Sequence, residues 1–300
     1  MTNLPRLKPD PLPPIHPLPE RLAAGARLDF YRETKRALKV PWMGVVTMAF
    51  AHYPNFYSTL WTAAKPVVRS AEFIAACHEL RRFTEARIPP QTDLTQRLVE
   101  MGYDAVELMQ IRDLIEVFSH GNMPYILIAS TARLLLEGHP IATETTLTPS
   151  TERHGLNPSI PPNPPIPHVT PLVLIEEHHA DSGLAATYDA LRNTLGLPFV
   201  NTDYRALARW PSYFTTAWSG LHAAITEPGY EAHLTAIHDR VVTLASALPN
   251  PTGITPDALQ AAAAKDGNPT LILDTVRLFQ WLLPGLLFNV AVLRAQLPED

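Results

Sequence analysis

A chain of 300 residues with 46% hydrophobic side chains has enough apolar surface for one large core or two ordinary ones. Its formal net charge of −5 and lack of a basic block weigh against a nucleic-acid partner, because neutralising phosphate takes clustered Lys and Arg. A single cysteine, Cys77, excludes an internal disulfide, a four-cysteine zinc site and a CxxC redox pair, and it favours a reducing compartment.

The first twenty residues, "MTNLPRLKPDPLPPIHPLPE", contain seven prolines where a secretory leader needs an unbroken apolar core. Residues 1–24 therefore read as a proline-rich arm. From 25 to 137 the pattern is helical: Leu108, Ile111, Ile115 and Phe118 recur at three- and four-residue intervals and form one apolar stripe. That pattern is interrupted in "FSHGNMPYILIAS" (118–130). One account is a helix end, with Gly121 at the C-terminal cap and Pro124 shortly after. The other is a break that turns Asn122 and Tyr125 toward a cavity, where a buried polar group must find a partner or cost roughly 1–3 kcal/mol.

Residues 138–171 are rich in proline and poor in large apolar side chains, which predicts a linker. From 172 to 300 the helical pattern returns. "TPDALQAAAAKDG" opens with Thr255 as N-cap and Pro256 at the first helical position, and it closes at Gly267. "LFQWLLPGLLFNVAVL" (278–293) is interrupted by Gln280, Pro284 and Asn289 and is short for a membrane span, so it is expected to be a buried helix broken at Pro284. No membrane partner is expected, and the chain reads as soluble and cytoplasmic.

The two helical stretches resemble each other. "YRETKRALKVPWMGVVTMAFAHYPNFYSTLW" (31–61) and "YDALRNTLGLPFVNTDYRALARWPSYFTTAW" (188–218) superpose without a gap at an offset of 157, pairing Tyr31 with Tyr188, Pro41 with Pro198 and Trp61 with Trp218. A looser match pairs 111–118 with 276–283. This is an internal duplication. The expected fold is all-α: two tandem related helical bundles forming an internal pseudo-dimer, joined by the proline-rich linker.

A duplication makes its own departures informative. Gly44, Val45 and Val46 of the first repeat become Asn201, Thr202 and Asp203 in the second. Helix capping accounts for such a cluster, because an N-cap Asn and a first-turn Asp satisfy free N–H groups and suit the helix dipole. From the local sequence capping is the plainer account, and a catalytic carboxylate is the sharper alternative.

"LKVPW", "YPNFYSTLW", "GNMPY" and "NTDYRALARWP", in this order, resemble the group I 2-haloacid dehalogenases from about residue 25 to the C-terminus. The resemblance implies a pseudo-dimeric helical fold with the active site between its halves. It also implies hydrolysis of short 2-haloacids to 2-hydroxy acids, with no metal and no organic cofactor. Carried over by position, the catalytic carboxylate is Asp203 and the water-orienting amide is Asn122. Trp42, Tyr125, Asn201 and Thr202 line the substrate site. Asn201 is bulkier than Gly44 and could exclude one arrangement about Cα, which favours D-selectivity with inversion to L-2-hydroxy acids. A dehalogenase that accepts both enantiomers is the alternative.

Three rival readings are weaker. A dehalogenase with an aspartate nucleophile needs a strand followed by a DxD-like motif, which the sequence lacks. A non-catalytic helical scaffold docking SH3-like grooves through "PPNPPIP" rests on composition alone. A metal site at His178-His179 is disfavoured because neighbouring side chains on a helix diverge. His120 adjoins Asn122 with no role fixed, and homo-oligomerisation stays open.

Overall fold

A computed structural model describes residues 4–150 and 172–298. The described residues form twelve α-helices and two 3-10 turns, with one isolated bridge, Ser70 to Pro149, as their sole β-type pairing. "PPNPPIP" lies outside the described residues.

The helices fall into two successive series of six. The first is α1 (Ala26–Leu38), α2 (Val45–Phe50), α3 (Pro54–Val67), α4 (Ala71–Glu85), α5 (Thr95–Glu100) and α6 (Ala105–Leu136). The second is α7 (Ser182–Leu195), α8 (Thr202–Leu207), α9 (Pro211–Thr226), α10 (Tyr230–Ala247), α11 (Pro256–Lys265) and α12 (Pro269–Ala295). The offset of 157 carries α2 onto α8 residue for residue, and it places proline at the first position of both α3 and α9.

Backbone detail repeats as well. α1 ends at Lys39 with φ 51° and ψ 45°, and α7 ends at Gly196 with φ 62° and ψ 37°. The Tyr31 hydroxyl donates to the Leu18 carbonyl, and the Tyr188 hydroxyl donates to the Ile175 carbonyl, both at 2.9 Å. Lys35 pairs with Glu20 and Arg192 with Glu177, each acid opening a 3-10 turn. The repeated geometry thus reaches back to Leu18, inside the segment that composition marks as an arm.

Two expected interruptions do not occur. α6 runs unbroken through Gly121 and Pro124, and α12 runs unbroken through Pro284. A proline in a helix interior costs about 3 kcal/mol. Both helices bury long apolar faces: Ile111, Ile115, Phe118, Ile126 and Leu127 in α6, and Ile272, Val276, Phe288 and Val292 in α12. Burial at roughly 1.5–3 kcal/mol per large side chain outweighs one lost hydrogen bond. α12 is long and apolar enough to cross a membrane, yet its most apolar 18-residue stretch, with a mean hydropathy of 1.6, is 89% buried inside the protein. The two interior prolines stand 160 residues apart, and the starts of their helices 164 apart.

The chain divides into two compact units, and each draws on both sides of the linker. Among the described residues, one comprises 4–83, 120–150 and 234–286; the other comprises 84–119, 172–233 and 287–298. In the first unit, Asp266, just after α11, accepts hydrogen bonds from the Asn55 and Phe56 N–H groups at 3.1 and 2.8 Å and so caps α3. In the second, the Tyr103 hydroxyl after α5 accepts from the Tyr213 N–H at 3.0 Å near the start of α9. The third helix of each series is therefore closed off by the fifth segment of the other.

Candidate active site

Trp42, Asn122 and Tyr125 belong to the first unit. Trp42 lies in the connection between α1 and α2 and is 5% exposed. Its indole rests on α6 at Gly121, where a Cβ would sit 2.2 Å from the ring carbon Cη2. Gly121 is therefore no cap: it is a mid-helix glycine that makes room for a tryptophan. Tyr125, one turn on, packs edge-on against Trp42 with ring centroids 5.9 Å apart. Its hydroxyl donates to the Trp42 carbonyl and accepts from the Gly44 N–H, both at 3.0 Å. A Cβ at residue 44 would lie 2.9 Å from the Tyr125 ring, which explains the small residue there. Burial, the dominant effect, raises the Tyr125 pKa well above that of an ordinary phenol. Asn122 lies between Gly121 and Tyr125 on α6 and is 4% exposed. His120, two residues before it, receives a hydrogen bond from the Arg81 guanidinium.

Asn201, Thr202 and Asp203 belong to the second unit, at the start of α8. Asn201 occupies the N-cap position with extended backbone, but its side chain makes no capping hydrogen bond. Its side-chain oxygen is buried without a hydrogen-bond partner among the described residues. The capping account therefore fails for Asn201, although true caps occur elsewhere: Asp181 accepts from the Leu184 N–H and Thr255 from the Ala258 N–H. Thr202 is buried, and its hydroxyl oxygen accepts from Arg205 at 3.5 Å. Arg205 is itself held by both carboxylate oxygens of Glu176 at 2.9 and 2.8 Å. Asp203 is 3% exposed in the first turn, so its carboxyl group does not point to solvent.

Sequence reasoning missed a buried polar chain next to Asp203. The Asn289 amide, fully buried on α12, donates to the Tyr204 hydroxyl at 2.9 Å and accepts from the Tyr230 hydroxyl at 3.2 Å. The signal was available, since a lone Asn within an apolar run needs partners. Gln280 is the parallel case in the first unit, accepting from Arg133 at 2.7 Å. His178 and His179 fall on a 3-10 turn with their ring centroids 4.1 Å apart.

No family model matches the sequence. A curated (R)-2-haloacid dehalogenase from Rhizobium sp. (strain NHG3) is 40% identical over 260 residues, covering 86% of this chain and 97% of the relative. The chain belongs to the 2-haloacid dehalogenase family. A second relative of this family, the (R)-2-haloacid dehalogenase of Pseudomonas putida, is 34% identical over 94% of this chain and 92% of its own length. A solved complex of a D-2-haloacid dehalogenase mutant with D-2-CPA matches with a TM-score of 0.85 at 30% identity, covering 99% of this chain and all of that one. The all-helical fold read from the sequence is thus the dehalogenase fold.

Proposed function

We propose that this dehalogenase hydrolyses short D-2-haloalkanoic acids to L-2-hydroxy acids, with Asp203 as general base on the attacking water and Asn122 orienting it. The observation that carries the reading is a carboxylate buried to 3% exposure at the position where the first repeat has Val46. A protein does not bury such a group in a duplicated frame that packs well without it unless the group has work or a partner there.

The chemistry balances with substrate, water and this carboxylate alone. The water oxygen bonds to Cα from the side opposite the halogen, and the halide leaves with the bonding pair. Asp203 accepts the water's proton and later returns it to solvent. One displacement inverts the centre, so a D-2-haloacid gives an L-2-hydroxy acid. General-base assistance of this kind is worth about 10²–10⁴-fold. The Asn122 amide does not titrate and can hold the water at a fixed angle. Because the Thr202 oxygen already accepts from Arg205, its proton is directed onward, suited to the substrate carboxylate. Trp42 and Tyr125 supply an apolar wall for the departing halide, and Asn201 restricts the arrangement about Cα.

Asp203→Asn is expected to abolish halide release from D-2-chloropropionate while leaving the helical circular dichroism intact, and Asn122→Ala to lower kcat more than it raises KM. Near-parental turnover in Asp203→Asn would remove the carboxylate's role. A single turnover in H₂¹⁸O should put the label in the product. Unlabelled product would mean an enzyme ester instead.

A further inference from the structure

We infer that Asn289 is a positioning residue for the dehalogenation, setting the orientation of Asp203 through the hydrogen-bonded chain Tyr230–Asn289–Tyr204. This rests on Asp203 being the base. α8 has six residues and no side-chain cap, too few to hold a fixed orientation alone. Its geometry must come from what grips its side chains. Tyr204 follows Asp203 directly, so the two side chains leave the helix about 100° apart. Fixing one fixes the direction of the other.

Tyr204 is 1% exposed and its hydroxyl is bound to Asn289 at 2.9 Å. Asn289 is fully buried, and its other amide atom is held by Tyr230 at 3.2 Å. α12 is pinned at this point by aromatic packing: Phe288 meets Tyr230 edge-on at 5.3 Å and stacks with His233 at 5.7 Å. The anchor is thus a rigid part of its unit.

The duplication supplies the control. At the offset of 157 the first repeat has Thr47 in place of Tyr204 and Val46 in place of Asp203. Thr47 and Val46 are both buried. The repeat without a carboxylate has no phenol at this position, so ordinary packing there does not require one. A buried Asn linked to two phenols is a costly way to fill space.

The test uses the full-length enzyme with D-2-chloropropionate, comparing Asn289→Leu, Tyr204→Phe, their combination and Asp203→Asn. Asn289→Leu is expected to lower kcat about 10–100-fold with KM within about 3-fold, as misplacement of a reacting group does. Tyr204→Phe should lose several-fold in kcat. The double variant should fall no further than Asn289→Leu, because both act through one linkage. Parental kcat in Asn289→Leu and Tyr204→Phe, or a raised KM with kcat unchanged, overturns the positioning role while an inactive Asp203→Asn leaves the base in place. An active Asp203→Asn overturns the reading underneath. If Asn289→Leu loses its helical circular dichroism, Tyr204→Phe decides: a kcat loss supports the linkage and parental kcat overturns it.

Discussion

At residue 201 the duplicated frame allows a side chain to be judged against its own counterpart. Gly44 is small because the Tyr125 ring occupies the space where its Cβ would project. Asn201 extends a polar side chain whose oxygen is buried and finds no partner among the described residues. Such an atom costs roughly 1–3 kcal/mol, and it caps nothing. A side chain retained at that expense beside the proposed base suits a steric filter on the substrate. Asn201→Ala should therefore keep or slightly raise the midpoint of urea unfolding while gaining halide release from L-2-chloropropionate. Continued inactivity on the L enantiomer, measured beside normal D activity, would assign selectivity elsewhere. The polar cluster at 201–203 was legible because the duplication exposed it. The contacts of Tyr125 with residues 42 and 44, and of Asn289 with residues 204 and 230, were not. They join positions 59 to 85 apart in the chain, and no local pattern encodes such pairings.

Among the elements, helix starts show how borrowed groups replace local caps. α3 begins with Pro54 after Tyr53, and Tyr53 supplies no side-chain cap. Its free N–H groups go to Asp266, which also accepts from the Asn55 side-chain amide at 2.7 Å. Asp266→Ala should lower stability by about 1 kcal/mol, the usual worth of a carboxylate or hydroxyl cap. Urea unfolding of the variant measures this, and an unchanged midpoint would mean that water replaces the carboxylate without loss. The start of α3 could be placed from its proline, whereas its cap could not, because the capping residue lies 211 positions away. The misread breaks at Pro124 and Pro284 have a different origin. Local rules weigh the lost hydrogen bond and the ring's clash, but continuous burial along α6 and α12 supplies more free energy than either proline removes. Propensity is a weak prior wherever a helix is buried on most sides.

For the whole molecule, the repeat read from sequence and the compact unit seen in space are different divisions of the chain. The sequence repeat matches continuous stretches, 31–61 with 188–218. Each compact unit is assembled from three separated segments, and unit boundaries fall inside α4, α6, α10 and α12. α3, from before the linker, is capped by Asp266 from after it; α9, from after the linker, is met by Tyr103 from before it. Neither repeat therefore contains the groups that complete its own third helix. A helix deprived of its packing partners leaves a broad apolar face in water, and isolated helices of this length are marginal on propensity alone. Fragments 1–155 and 156–300, produced separately, should each show shallow, non-cooperative urea unfolding and release no halide. Mixed from denaturant, they should recover a cooperative transition and measurable turnover on D-2-chloropropionate, because every missing partner is then present. A sharp transition in either fragment alone, at the midpoint of the intact chain, would mean that a single repeat closes its own core.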